Sequence, residues 1–527
     1  MIHASSITKW DFFSESIQRV PYLRYFFFGL LLPFGFSPFH FPGLTLLGLA
    51  LFYRSLTSAQ DKSPFLAGLT FGLGYFGLGV SWIYISIHEY GHLHGIIAAL
   101  ITLMFVLYLA IFPALTAVIF SRLACKPHRI YSCLLFSAIW IGCEYLRAIF
   151  FSGFPWLLVG FGQFDTPLKF LLPVIGVFGV GFITCFAATL LGSSTNKAGS
   201  KRYFYLIMFV AVILFPLLFK TVTWGEKDAQ GISVGIIQAN LSMRDKWDEN
   251  LFWQLLELYH RDTEKLLGTQ LIVLPESAFP LPATYISDFL SDLHKQAKKA
   301  GSAILLGIPE PATIDEAYYF NTLMTIGKAK GSYIKQHLVP FGEYIPEPFL
   351  RASNWLGIPE ANLKPGKNNQ ELIKVQHHPI ASLICYELGY GNLLRQQLPA
   401  AHWIVSISDD GWFGHSLAMY QQQQMAQVLS METARYQVVA NNDGLSSVIN
   451  TEGEIEASLP AFDAGILKAT LFPATGQTPW VLFGDWPILL FSLLLIVISV
   501  TYRCLMLKDR KQSIAAKDKR RYPYHPR

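Results

Sequence analysis

A series of apolar runs constrains the fold of this chain more than any other feature. The hydrocarbon core of a bilayer is about 30 Å thick, which about 20 apolar helical residues can cross. The eight runs, of which the first two are short, are 22–36, 40–56, 64–87, 93–120, 130–151, 168–193, 203–222 and 484–506. They predict a polytopic bundle of eight transmembrane helices in a chain of 527 residues.

Basic residues alternate between the connections of these runs. Lys and Arg precede the first run, lie between the second and third, fourth and fifth, and sixth and seventh, and fill the tail after the eighth. The positive-inside rule therefore predicts cytoplasmic termini and a periplasmic segment before the last run, in a bacterial inner membrane. The net charge of +5 follows from these loops, so it does not indicate a nucleic-acid partner. The expected division is 1–222 (seven-helix bundle), 223–480 (periplasmic catalytic domain), 481–507 (last helix) and 508–527 (basic cytoplasmic tail).

Two charged residues interrupt the fifth apolar run. Glu144 and Arg147 are three positions apart and so share one helix face. Charges within a membrane mark a functional site by default. A structural ion pair explains the same two residues equally well, and both interpretations stay open.

The pattern changes after Gly231. Short β-branched runs such as 232–238 and 303–308 alternate with amphipathic helical stretches at 251–267 and 286–299. Alternation of this kind predicts an α/β sandwich whose sheet is buried by helices.

Three ionisable residues follow such strands. Glu276 follows an apolar strand that begins at Leu271, Lys335 opens the run that continues through LVPFGEY, and Cys385 ends the strand that begins near His378. A carboxylate can take a thiol proton, and an ammonium can favour a thiolate and later stabilise an oxyanion. Taken alone, Cys385 is better explained as a small core hydrophobe, because free cysteine is among the most buried residue types. The three together predict a cysteine nucleophile with a base and a cation.

The motifs around these residues carry a family resemblance. They are LPES at Leu274–Ser277, the run from Lys335 through LVPFGEY, and ICYE at Ile384–Glu387. The segment from about Ile232 to Leu467 resembles the nitrilase (carbon–nitrogen hydrolase) superfamily, whose fold is an α-β-β-α sandwich. With seven apolar runs before it and one after, nearly the whole chain resembles the bacterial apolipoprotein N-acyltransferase family.

The resemblance implies roles for individual residues. Glu276 would be the general base, Lys335 would stabilise the tetrahedral intermediate, and Cys385 would carry an acyl thioester. Supporting or substrate-binding positions would be Glu343, Tyr386, Glu387, Trp247 and Trp412. Glu343 would orient Lys335 or share its protons, although a cap beside a glycine turn is an alternative.

The sequence departs from the family pattern at three positions. Asp409 comes first in Asp-Asp-Gly-Trp-Phe-Gly, where the family usually has Asn-Asp before Trp-Phe-Gly. Tyr420 precedes Gln where His is more familiar, and Asp443 precedes Gly where the second Asn of Asn-Asn-Gly is more familiar. These departures affect the expected hydrogen bonds of the loops and the substrate preference, and they leave the three catalytic positions intact.

The implied reaction is a two-step acyl transfer. A phospholipid, in this family typically phosphatidylethanolamine, would acylate Cys385, and the α-amine of an S-diacylglyceryl cysteine on an apolipoprotein would accept the acyl chain. No metal or nucleotide cofactor is needed, and a monomer is the simplest expectation. The alternatives are a membrane-tethered nitrilase-type amidase and, in another class, a transporter or lipid scaffold.

The segment after the Lys335 motif is rich in aromatic residues and prolines. Phe349, Leu350, Trp355 and Leu356 lie within the stretch 345–365. We expect a lipid-gating arm there, with ordinary packing between domains as the alternative.

Overall fold

The computed structural model describes residues 22–58, 62–91, 93–124, 130–195, 199–246, 248–312, 317–351 and 362–521. The first part and the last part are helical. Their α-helices span Leu23–Leu30, Pro42–Thr57, Pro64–Gly79, Trp82–Ile85, Gly95–Leu123, Ile130–Ile149, Leu172–Ser194, Ser200–Leu214, Pro479–Phe483 and Trp486–Arg521.

The predicted count of eight transmembrane helices is only partly matched. Within the described residues, five helical segments are long and apolar enough to cross a membrane: Gly95–Leu123, Ile130–Ser152, Pro167–Ser194, Ser200–Phe219 and Trp486–Met506. A sixth candidate, predicted as one run at 64–87, consists of Pro64–Gly79 and Trp82–Tyr90, bent by 58°. The first two predicted runs form only the short segment Leu23–Gly35 and a helix of 16 residues, Pro42–Thr57. The count of eight is therefore not confirmed.

A glycine permits one sharp break in the bundle. Gly176 has φ +65° inside the segment that ends at Ser194. A Cβ there would lie 2.3 Å from the ring of Trp480, so only glycine allows this close approach. The break thereby packs the helical part directly against the segment that leads into the last helix.

Two stacked sheets form the central part of the chain. The seven-stranded sheet runs in the order Ile455–Ser458, Ser447–Ile449, Gln437–Asn441, Ile404–Ser408, His378–Ile384, Ile373–Val375 and Ala329–Lys330. The six-stranded sheet runs in the order Gly465–Leu471, Ile232–Gln238, Leu271–Val273, Ala303–Pro311, Tyr319–Gly327 and Tyr333–Ile334. A separate pair joins Glu226–Lys227 to Ala474–Thr475. The middle strands of each sheet are parallel, and the outer ones are antiparallel.

Apolar side chains hold four layers together. Val234 and Val405, from opposite sheets, belong to one buried cluster between them. Helices Phe252–Glu264 and Ser287–Ala300 cover the six-stranded sheet, and helices Gly391–Gln396 and Ala418–Thr433 cover the other. This is the α-β-β-α sandwich that the resemblance to the nitrilase superfamily implies.

The helix Ala418–Thr433 joins the sandwich to the helical bundle. Its four consecutive glutamines at 421–424 are all buried, which is unusual for this residue type. Gln421 donates to the carbonyl of Gly79 at 3.1 Å, and Gln424 accepts from the backbone N–H of Ser37 at 3.2 Å. The polar side chains therefore satisfy bundle backbone groups at the junction.

Candidate active site

Three strand ends bring the predicted triad together. Glu276, Lys335 and Cys385 follow the strands Leu271–Val273, Tyr333–Ile334 and His378–Ile384. Their side chains are almost fully buried, with exposed fractions of 6 %, 1 % and 7 %. Since the first two strands belong to one sheet and the third to the other, the site lies at the edge of the sandwich where both sheets end.

The backbone at Cys385 is strained. Cys385 has φ +54°, a left-handed conformation that a residue with a Cβ seldom adopts. A 3₁₀ turn, Cys385–Gly389, begins there and turns the chain away from the strand. Strain of this kind persists only where the surrounding contacts hold it, and it concentrates at functional sites.

Both oxygens of Glu276 accept hydrogen bonds. Oε1 accepts from Lys335 Nζ at 3.3 Å and from Asn321 Nδ2 at 2.7 Å. Oε2 accepts from the backbone N–H of Asp409 at 3.1 Å. These three donors hold the carboxylate in one orientation.

Glu343 is the second carboxylate at Lys335. Its Oε1 lies 2.7 Å from Lys335 Nζ, and its Oε2 accepts from the backbone N–H of Val339 at 2.7 Å. Burial alone would lower the pKa of Lys335, but Glu276 and Glu343 outweigh it and hold that pKa well above its usual value. Glu343 thus contacts Lys335 directly.

Cys385 is a protonated thiol in this arrangement. Burial raises its pKa well above the usual value, and the charge of Glu276 raises it further, against the opposite effect of Lys335. Lys335 lowers the pKa of Cys385, as expected of a neighbouring cation, but burial raises it by more. Attack by the sulfur consequently requires a base, and Glu276 is the carboxylate that has the largest effect on the thiol.

Glu387 joins the loops of the two catalytic strands. Its Oε1 accepts from the backbone N–H groups of Gln336 and His337 at 2.7 and 3.0 Å, and Oε2 accepts from that of Ile384 at 2.8 Å. The hydroxyl of Tyr333 donates to it at 3.1 Å. Burial raises the pKa of Glu387 to about 7, although these donors favour the carboxylate. Glu387 therefore ties the segment after Lys335 to the strand end at Cys385.

The departure at Asp409 has a partner that the sequence analysis missed. Lys246 Nζ, buried, forms an ion pair with Asp409 Oδ2 and donates to the backbone carbonyl of Glu276 at 3.0 Å. A buried Asp in place of Asn needs a cation, and Lys246 supplies it, although nothing in the sequence links the two positions. Trp247, the next residue, lies outside the described residues.

Two further aspartates lie beside this pair. Asp410 Oδ2 accepts from Asn441 Nδ2 at 2.6 Å, whereas Asp410 Oδ1 and Asp443 Oδ1 are buried and have no hydrogen-bond partner among the described residues. Burial, reinforced by Asp409, raises the pKa of Asp443 to about 7. Burial, reinforced by Asp443, also raises the pKa of Asp410 well above its usual value. Burial therefore disfavours the ionised form of both Asp410 and Asp443.

Exposed aromatic and aliphatic side chains follow the catalytic loops. Trp412 is 44 % exposed, and its backbone carbonyl accepts from Ser86 Oγ of the bent helix at 2.7 Å. Phe349 and Leu350 are also exposed, and the ring of Phe349 lies 5.3 Å from that of Phe341. Trp355 and Leu356, the other two members of the predicted arm, lie outside the described residues.

The intramembrane pair is buried within the bundle. Arg147 Nη2 lies 3.9 Å from Glu144 Oε1, and the exposed fractions of Arg147 and Glu144 are 1 % and 4 %. Neither residue is placed among the triad. Both contact the irregular chain that follows their helix.

Asn321 is a further site residue that sequence reasoning did not select. Its Nδ2 reaches Glu276 Oε1 and lies 3.4 Å from Glu343 Oε1. It sits in the strand Tyr319–Gly327, where a single amide among apolar residues gives no distinctive signal.

Comparisons with known proteins agree with this geometry. The family model for the apolipoprotein N-acyltransferase N-terminal domain matches residues 28–190, and that for carbon–nitrogen hydrolase matches residues 233–478. The apolipoprotein N-acyltransferase of Methylococcus capsulatus is 36 % identical over 462 residues, which cover 87 % of this chain and 92 % of that protein. That of Coxiella burnetii is 33 % identical over 478 residues, covering 90 % and 98 %. The chain belongs to the apolipoprotein N-acyltransferase family.

Proposed function

We propose that this protein transfers a fatty acyl chain from a membrane phospholipid to the α-amine of an S-diacylglyceryl cysteine at the N-terminus of an apolipoprotein. The buried set of Glu276, Lys335 and Cys385 carries the proposal, because a protonated thiol beside a carboxylate and an ammonium suits acyl transfer. The names of the relatives support the substrate class.

The first step forms a thioester. Glu276 takes the proton of Cys385 Sγ, and the sulfur attacks the ester carbonyl of the phospholipid. Lys335 stabilises the oxyanion of the tetrahedral intermediate by charge and hydrogen bonding. The intermediate collapses as the acyl C–O bond breaks, and the leaving alkoxide takes the proton from Glu276 to give a lysophospholipid.

The second step discharges the thioester. The neutral α-amine attacks the thioester carbonyl, and Glu276 accepts the proton that the nitrogen must lose. The C–S bond then breaks, the amide is complete, and the sulfur of Cys385 regains its proton from Glu276. The product is a triacylated lipoprotein, and the enzyme returns to its starting protonation state.

Several finer points belong to the same proposal. We take phosphatidylethanolamine as the donor and a monomer as the working unit. The alternating basic connections support eight crossings, with cytoplasmic termini and a periplasmic domain at 223–480. The exposed side chains of Phe349 and Leu350 support an arm that enters lipid and gates the cleft.

A lipopeptide assay tests the proposal. The purified protein is incubated with phosphatidylethanolamine and a synthetic diacylated lipopeptide that has a free α-amine, and the lipopeptide mass is followed. We expect a gain of one acyl group, which the N-acetylated lipopeptide, as control, does not show. Release of ammonia from small amides without any lipopeptide acylation would contradict the proposal and favour the amidase.

A further inference from the structure

An irregular loop, 153–159, follows the helix Ile130–Ile149, and the two intramembrane charges hold its backbone. Arg147 Nη1 donates to the carbonyls of Phe154 and Trp156 at 2.7 and 2.6 Å. Glu144 Oε1 accepts from the backbone N–H of Val159 at 3.1 Å. Residues 153–159 are all buried, so this non-helical backbone has few waters to pair with and needs such partners.

The outer end of the 153–159 loop contacts the chain just after the nucleophile. The carbonyl of Gly153 accepts from the hydroxyls of Tyr386 and Tyr390, each at 3.0 Å. The ring of Trp156 stacks on that of Tyr386, with centroids 6.4 Å apart and planes 13° apart. The loop therefore reaches from the buried charges to the residue that adjoins Cys385.

The loop has a second link to the nucleophile. Trp156 Nε1 donates to Gln421 Oε1, and the adjacent Gln422 donates to the carbonyl of Cys385 at 3.5 Å. Both routes end at the strained residue Cys385, with φ +54°. A strained conformation persists only where neighbouring contacts hold it. The 153–159 loop therefore helps to set the direction in which the sulfur of Cys385 points.

We propose that Arg147 is a positioning residue for acyl transfer, acting through the 153–159 loop and Tyr386 on Cys385. Its planar guanidinium donates to three backbone carbonyls from two nitrogens, Nη1 to Phe154 and Trp156 and Nη2 to Leu157 at 3.5 Å, and the single nitrogen of a lysine does not reproduce this spread. Glu144 supplies the countercharge that a buried arginine requires. The pair of Glu144 and Arg147 thus acts on the reaction indirectly, through the loop backbone that it holds in place.

A double-mutant cycle tests this inference, which rests on the proposed function for its acylation readout. The variants are Arg147→Gln, Tyr386→Phe and the two combined, with Arg147→Lys as the conservative replacement. The rate of Cys385 acylation by phosphatidylethanolamine is measured in single turnover, over a range of donor concentrations. We expect Arg147→Gln to lower the maximal rate by roughly tenfold or more with little change in the concentration dependence.

Coupling and partial rescue distinguish positioning from general destabilisation. We expect the double variant to be no slower than the slower single variant, and Arg147→Lys to be intermediate. Tyr131→Phe is the matched control, because it removes hydrogen bonds to Leu495 and Ser499 at the other end of the same helix. It should keep the wild-type rate. Independent, multiplicative effects or an unchanged rate in Arg147→Gln would overturn the inference.

The same double-mutant cycle is also measured with the rate at which iodoacetamide alkylates Cys385, a reaction that needs no acyl donor. If the wild type forms no thioester with any phospholipid, the proposed function fails, and the alkylation cycle alone decides the inference. The inference is then supported if the two substitutions have coupled effects on the alkylation rate, and it is overturned if their effects are independent and multiplicative. If Arg147→Gln does not fold, the cycle of Arg147→Lys with Tyr386→Phe is decided by the same criteria.

Discussion

Lys335 Nζ donates to Glu276 Oε1 at 3.3 Å, so the cation and the base of the site are in contact before any substrate binds. When Glu276 gains the thiol proton, this contact loses one of its two charges. Glu343, 2.7 Å from the same ammonium, then still balances Lys335. The second carboxylate therefore keeps the buried cation paired at every step, which matters because an unpaired buried charge is costly.

Replacing Glu276 should affect acylation and alkylation of Cys385 in opposite directions. In Glu276→Gln the base is lost, so we expect acylation by phospholipid to fall by roughly 100-fold or more. Burial is the main reason for the raised pKa of Cys385, but the charge of Glu276 adds to it. Its removal lowers that pKa, so iodoacetamide should alkylate the variant faster than the wild type at pH 9. A parallel fall in both rates would contradict the assignment of the base.

The buried pair of Lys246 and Asp409 predicts a compensating double variant. Asp409→Asn alone leaves Lys246 buried and unpaired, and we expect a loss of about 3–5 kcal/mol in the free energy of unfolding. Lys246→Met in the same background removes the unpaired charge and should recover much of that loss. Chemical denaturation followed by tryptophan fluorescence measures both. No recovery in the double variant would show that the pair has no such coupling.

Asp443 predicts a pH dependence of stability. Its pKa is raised in the fold from 3.8 to about 7, so ionisation is harder there than in the unfolded chain. The stability that the protonated form contributes is present below about pH 4 and is lost as the pH rises to about 7. Asp443→Asn removes this loss. At about 1.4 kcal/mol per pKa unit, the loss amounts to up to about 4 kcal/mol of the free energy of unfolding.

The melting temperature checks the prediction for Asp443. We expect Asp443→Asn to gain stability over the wild type at pH 8 and to match it at pH 4. The carboxyl of Asp410 and the pair of Asp409 with Lys246 are present in both proteins, so the difference isolates Asp443. An equal difference at the two pH values would refute the buried, shifted carboxyl.

The exposed residues Phe349 and Leu350 predict a specific effect on the lipid donor. Phe349→Ser combined with Leu350→Ser removes apolar surface that is 43 % and 45 % exposed. If this surface enters lipid, KM for vesicle phospholipid should rise several-fold while the domain stability is kept. Ile455→Ser, exposed on the edge strand Ile455–Ser458, is the control and should leave KM unchanged. Equal behaviour of the two variants would favour ordinary packing for the segment.

The placement of the triad was predictable because apolar strands leave a strong local pattern. The strand predicted at 232–238 is formed as Ile232–Gln238, and the strand before Cys385 ends one residue earlier, at Ile384. Glu276 and Lys335 also follow strands, and the structure places both of these strands in the other sheet, which the sequence analysis did not assign. Reactive residues at the end of a strand can thus be located from the sequence when the strand itself can be predicted.

Long-range pairings and bends were not predictable in the same way. Lys246 and Asp409 are 163 positions apart, and no periodic pattern relates them. The bend after Gly79 lies within an uninterrupted apolar run, so hydropathy alone reports one span where the structure has two helices at 58°. Glu144 and Arg147 are apparent in the sequence, but their partners are backbone carbonyl and amide groups, which carry no sequence signal.

The most direct test of the account is the intact mass of the purified protein after incubation with phosphatidylethanolamine. The account predicts a gain of one fatty acyl group in the wild type, removed by hydroxylamine, discharged by a diacylated lipopeptide and absent in Cys385→Ala. An adduct that persists in Cys385→Ala, or no adduct with any phospholipid, would contradict a thioester on Cys385.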